Sequence, residues 1–199
     1  MGNLKIIMIT AIDKNTALVL IDLQKGIANA ETEPHSVKDV LANASKLVSA
    51  FRKANLPVVI VHVDPTGAKW LHSRVEAPNP AAKGQLPPHF EEIVPEIETK
   101  DDDIRILKRS WNAFFHTDLH DELKSRHVTQ IVLAGISTSV GVEGTARDAS
   151  PLGYNIAFAT DAMTDRLAAA HEHSIKNIFP RIGELGRTDE IIGFLPAAK

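Results

Sequence analysis

Gln130 to Tyr154 reads QIVLAGISTSVGVEGTARDASPLGY, and this stretch decides the kind of fold the chain adopts. Ile131 to Ile136 is an apolar, β-branched run short enough for a strand buried on both faces. Ser137, Thr138 and Ser139 break it, and a helical pattern follows until Pro151 and Gly153 close it. A buried strand that passes through a tight turn into a helix is the building unit of α/β proteins. Such folds also hold ligands at this turn. The first helical amides have no intrahelical acceptor and the helix dipole favours negative charge, so an anion or a developing oxyanion finds donors there. Here the first helical turn presents Gly141 where a nucleophilic side chain would project, and the whole chain contains no cysteine.

The same alternation extends outward on both sides. Apolar runs recur at Ala17–Ile21, Val58–Val63, Ile104–Leu107 and Ile156–Ala159. Between them Val37, Leu41, Ala44, Leu47, Val48 and Phe51 fall at helical spacing until Leu56-Pro57, as do Leu119 and Leu123 and, later, Ala169, Ile175, Ile178 and Phe179. Strands alternating with helices are joined by right-handed crossovers. The expectation is a three-layer α/β/α Rossmann-like sandwich around a mostly parallel, six-stranded sheet, with ligands beyond the carboxyl ends of the strands. A length of 199 residues fits one domain over 1–199, with 1–15 as an N-terminal extension. Asp64 to Asp103 breaks the rhythm with Pro65, Pro78, Pro80, Pro87, Pro88 and Pro95. It is too long for a routine strand-to-helix connection and reads as a binding loop or an interface. Its acidic run Asp101–Asp103 reads as a solvated turn.

Composition narrows the function. A formal net charge of -3 without a Lys/Arg stripe argues against nucleic acid as a partner. No apolar run reaches the roughly 18 to 20 residues that span a bilayer, and Met1 to Ile12 lacks a cleavage-site pattern. A soluble, cytoplasmic protein without a membrane partner is expected. The absence of cysteine excludes disulfides, thiolate metal sites and a thiol nucleophile.

Two charged residues end apolar runs. Asp22 closes ALVLID and Lys108 closes IRILK, so both leave the sheet at its carboxyl edge, where they can meet over the turn at Gly141 and perturb each other's pKa. Either also has an ordinary reading, Asp22 as a turn or cap residue and Lys108 as a basic strand end. Ser137, Thr138 and Ser139 read first as capping residues, with a nucleophilic role as the minor alternative. Glu143 and Arg147 are spaced for a helix-surface ion pair.

Taken together, ALVLIDLQ, ILKRSWNAF, VLAGISTSVGVEGTARDA and GYNIAFATDAMTD resemble the isochorismatase-like hydrolase family over about Thr16 to Ile192. The resemblance implies that Asp22 and Lys108 take the places of that family's catalytic Asp and Lys and that Gly141 stands where most members carry a nucleophilic Cys. It also implies a cis peptide at Ile136-Ser137 and an oxyanion hole from the Ser137 and Gly141 amides. Family amidases form a thioester at the Cys, a route closed to this chain. Isochorismatases proper also have Gly there and cleave a vinyl ether without a covalent intermediate, the Asp acting as general acid. The expected function is therefore a cofactor-independent hydrolase of a small molecule, with isochorismate-type vinyl ether cleavage as its specific form. The alternative is a catalytically impaired member, an amidase relative that lost its nucleophile and serves as a small-molecule binding module or a structural homo-oligomer. Arg147, Asp148 and Asp161 read as scaffold.

Trp111, Phe114 and Phe115 follow Lys108 closely; core packing accounts for at least one, and Trp111 or Phe114 is a candidate to close over a flat substrate. Trp70 and Arg74 are candidates for a lid and a carboxylate anchor. His62, ending its strand near Asp64 and His72, is a candidate pocket-wall residue; no metal site is expected, because the nine histidines show no ligand spacing. Trp, His and Pro in the long insertion suit a docking surface, so a homo-oligomer is expected.

Overall fold

The computed structural model describes residues 8–66 and 86–196. Trp70, His72 and Arg74 lie outside these residues. Six strands, β1 (Thr16–Ile21), β2 (Val58–Val63), β3 (Ile104–Lys108), β4 (Gln130–Ile136), β5 (Asn155–Thr164) and β6 (Glu184–Gly186), form one sheet in the order β3-β2-β1-β4-β5-β6. Every neighbouring pair is parallel. The order reverses at β1/β4, which makes the carboxyl ends of these two central strands the switch point where such sheets place ligands.

Alternating side chains of the strands feed two cores. Val19, Ile21, Val59, Val61, Ile106, Ile131 and Leu133 pack with Leu119 and Leu123 of α2 (Leu119–Ser125), Ala146 of α3 (Glu143–Ala149) and Phe179, which follows α4 (Ala168–His173). Leu18, Leu20, Val58, Ile60 and Val132 pack with Val40, Leu41, Ala44, Leu47 and Phe51 of α1 (Val37–Lys53) and Ile191 of α5 (Thr188–Phe194). This is the expected three-layer sandwich. Ser36 caps α1 by accepting from the Asp39 amide.

Three details depart from the sequence reading. β5 runs on to Thr164, with a register shift between Leu133 and Gly135 of β4 that lets polar Thr160 and Asp161 interrupt its apolar run. The described end of the N-terminal extension is tied down: Ile9 is buried and donates to Leu185 O at 2.7 Å. Asp103 is not a solvated turn residue, because both its carboxylate oxygens accept from Arg52 Nη2 at 3.0 and 2.9 Å and its side chain is 3% exposed. Within the long insertion, Val94 and Ile97 join the α1-side core, and Gln24 Nε2 holds Phe90 O.

Candidate active site

β1, β3 and the turn after β4 bring three residues together. Ile21 belongs to the inner face of β1, and the chain then enters the left-handed region at Asp22, with φ 52°, a conformation Asp tolerates better than most residues. Lys108 continues the inward alternation of Ile104 and Ile106. Its Nζ donates to Asp22 Oδ2 at 2.8 Å, Ser110 O at 3.1 Å and Trp111 O at 3.0 Å. An ammonium has three N–H groups, so each has a protein acceptor. The pair is nearly sealed from solvent, with side chains 2% and 8% exposed.

Asp22 is unevenly satisfied. Oδ2 has the ammonium, whereas Oδ1 is buried without a hydrogen-bond partner. Burial raises the carboxyl pKa to about 6, and the Lys108 charge and hydrogen bond oppose this with less effect. Of the two competing influences, desolvation wins.

Gly141 faces this pair. A Cβ at this position would lie 3.2 Å from Asp22 Oδ2, 3.7 Å from Lys108 Nζ and only 2.7 Å from Ile21 Cγ2. The Ile136-Ser137 peptide is cis, and Thr138–Val142 forms one π-helical turn leading into α3. Such turns are rare and recur at functional sites. The Ser137 carbonyl accepts from the Val140 and Val142 amides, each at 3.2 Å. Thr145 Oγ1 donates to Gly141 O at 2.7 Å and accepts from the Ala113 amide at 3.0 Å, joining the turn to the loop whose carbonyls hold Lys108.

Other candidates fall elsewhere. Phe114 stacks on Tyr154 with ring centroids 5.8 Å apart and packs, partly buried, against the α2/α3-side core. His62 points to the opposite face of the sheet, into a cavity of about 500 Å³ shared with Ile60, Glu91 and Arg105; it does not join Asp22 and Lys108. Trp111 is half exposed and reaches the site through its carbonyl. Asp64 binds Arg109 at 2.7 Å and Thr66, and no cluster of three metal-binding side chains occurs among the described residues.

Two connections escaped the sequence reading. Thr138 Oγ1 lies 2.9 Å from His171 Nδ1 on α4, and the Ser139 amide and hydroxyl both donate to Asp165 Oδ2, at 2.7 and 2.8 Å. The hydroxyls expected to cap the helix therefore bind the segment after β5. No local spacing signals partners that far along the chain.

Residues 16–190 match the model of the isochorismatase domain. The chain belongs to the isochorismatase family. Among family members it is 43% identical to an uncharacterized isochorismatase family protein, YwoC, of Bacillus subtilis (strain 168), over 90% of this chain and 93% of that one. It is 42% identical to a second such protein, YecD of Escherichia coli O157:H7, over 92% and 97%. Its fold superposes on a solved isochorismatase family protein from Burkholderia thailandensis with a TM-score of 0.84 at 33% identity, covering 96% of this chain and 99% of that one. No helix among the described residues is long and apolar enough to cross a membrane.

Proposed function

We propose that this isochorismatase-family chain hydrolyses a small molecule without a covalent enzyme intermediate, with Asp22 as the proton donor and vinyl ether cleavage of an isochorismate-type substrate as the reaction. The observation that carries the reading is the Asp22 carboxyl: one oxygen is fixed by Lys108, the other is buried and unpartnered, and its pKa of about 6 keeps a useful fraction protonated near neutrality. Gly141 stands where the resemblance puts a nucleophilic Cys, and the chain has no thiol to place there.

In this mechanism the Asp22 proton passes to the methylene carbon of the enolpyruvyl ether, leaving an oxocarbenium ion. Water adds to that cation and returns a proton to Asp22. The hemiketal then expels the ring alcohol and leaves pyruvate. Lys108 holds the Asp22 carboxyl in place, and the Ser137 and Gly141 amides serve as donors to a substrate carboxylate or carbonyl. The reaction needs no cofactor.

The test is pyruvate release from isochorismate by the wild-type chain and by Asp22→Asn, alongside a panel of small amides. Turnover of isochorismate that Asp22→Asn abolishes supports the proposal. The missing thiol favours a second reading, a binding module, which predicts thermal stabilisation by a ligand with no turnover. Sedimentation of the same samples reports whether the chain is a homo-oligomer. Retention of enolpyruvyl hydrolysis in Asp22→Asn would refute the acid role.

A further inference from the structure

We propose that His171 is a positioning residue for this site, acting through the Thr138 hydroxyl on the turn that carries the Ser137 and Gly141 amides. It takes from the preceding section the role of those amides as donors, and adds what aims them.

Thr138 directly follows Ser137, opens the π-helical turn and is fully buried. Its Oγ1 meets Nδ1 of His171 at 2.9 Å, across 33 residues of chain. Burial also lowers the His171 pKa and so favours the neutral ring, and one hydrogen bond joins the two side chains whichever nitrogen of that ring carries the proton. The His171 ring also meets His35 edge-to-face at a centroid distance of 5.7 Å. One turn further along, Ser174 Oγ donates to Glu143 Oε2 at 2.6 Å. The segment after β5 thus grips the turn before Gly141 and the helix just after it.

Asp165 is the other grip, on Ser139, but its own backbone pairs with Glu33 in both directions, so changing it disturbs the loop as well. The Thr138–His171 link is a single side-chain contact placed beside the first donor amide. Donors aimed at developing charge lose their effect when displaced by about 1 Å, at a cost of about 100-fold in rate.

The experiment compares Thr138→Val and His171→Leu, which remove one side of the link, with Thr138→Ser and His171→Asn, which keep a hydroxyl and a polar side chain able to bind it. On isochorismate, each disrupting variant is expected to lower kcat about 10- to 100-fold while KM stays within about threefold. The double variant should be no worse than either single one, and the conservative pair should recover most of the rate. Independently of turnover, the Ser137 and Gly141 amide resonances in a proton–nitrogen correlation spectrum should move in both disrupting variants and stay in place in the conservative ones. Unmoved amides, or additive losses in the double variant, would overturn the role of His171. If the wild-type chain leaves isochorismate intact, the proposed reaction fails while the amide resonances still decide this link.

Discussion

Two buried acid–base pairs sit at opposite ends of the sheet, and they are built differently. At the amino end of β3, Asp103 takes Arg52 Nη2 on both oxygens and the Lys100 amide on Oδ2, so each carboxylate oxygen has a partner. At the carboxyl end, Asp22 takes Lys108 on one oxygen and nothing on the other. Arg52 reaches both Asp103 oxygens through its single Nη2, with Nη1 on Glu98, whereas the Lys108 ammonium is a point charge shared among three acceptors. Arg52 therefore satisfies its acid, while Lys108, divided between Asp22 and two carbonyls, leaves Asp22 half satisfied and able to hold a proton. The second arrangement, unlike the first, suits the acid role proposed for Asp22.

The largest effect that separates the two pairs is on rate. Asp22→Asn keeps the shape but has no acidic proton, and isochorismate turnover should fall by about 1,000-fold, within the usual worth of a positioned general acid. Asp103→Asn should leave turnover within about twofold. Equal losses in the two variants would erase the distinction.

The pH dependence of stability is the next test. Burial raises the pKa of Asp22 in the folded protein to about 6, from an ordinary value of 3.8. A pKa raised on folding contributes stability that is complete below about pH 4 and is lost as pH rises through about 6. The difference corresponds to about 3 kcal/mol. Urea unfolding at pH 4 and pH 7 should show this loss in the wild-type chain relative to Asp22→Asn, in which the group does not titrate. If Asp22 is the proposed acid, kcat/KM should also fall about tenfold per pH unit above about 6. A flat difference between the two proteins across this window would mean that the Lys108 charge outweighs desolvation.

What was legible in the sequence follows the same division. Asp22 and Lys108 could be placed because each ends an apolar run, and the ends of parallel strands share one edge. Gly141 followed from the strand–turn–helix order around it. The face of His62 was not legible from its strand end alone: in the parallel register it pairs with Leu107, one residue before Lys108, and a one-residue step reverses the side of the sheet. β6 has only three residues, too few for a periodic signal, and the polar bulge of β5 hid its second half. The Arg52–Asp103 and Thr138–His171 links join distant segments through single side chains. Only packing decides such contacts.

Removing one partner of the scaffold pair should cost stability and not rate. Asp103→Ala leaves Arg52 largely buried, with its remaining acceptors on Glu98, and the expected loss is about 3 kcal/mol, at the low end for a broken buried pair. Denaturant midpoints at constant slope measure it.

Space beside Asp22 gives a smaller effect. A methyl group at 141 would press on Ile21 Cγ2 at 2.7 Å, so Gly141→Ala should lose about 1 kcal/mol, overpacking exceeding the helix-propensity gain. Ile21→Leu in that background removes the opposing branch and should recover part of the loss. A thiol at 141 requires the same shift of Ile21, so Gly141→Cys would not place a sulfur beside Asp22 and Lys108 without strain.

The smallest effect comes from a third acid–base pair, the expected helix-surface pair on α3. Arg147 Nε meets Glu143 Oε1 at 2.8 Å, but the Arg147 side chain is 54% exposed. Water screens it on one side, and Arg147→Ala should change stability by about 0.3 kcal/mol, as for other exposed pairs at this spacing. Glu143 differs from its partner because its other oxygen accepts from Ser174. Glu143→Ala should therefore cost more than Arg147→Ala and also lower turnover, since it releases Ser174, just past α4, from the helix that follows Gly141. Equal losses in these two variants would show that Ser174 contributes nothing to the turn through Glu143, leaving the hydrogen bonds of Thr138 and Ser139 to His171 and Asp165 as the ties that matter.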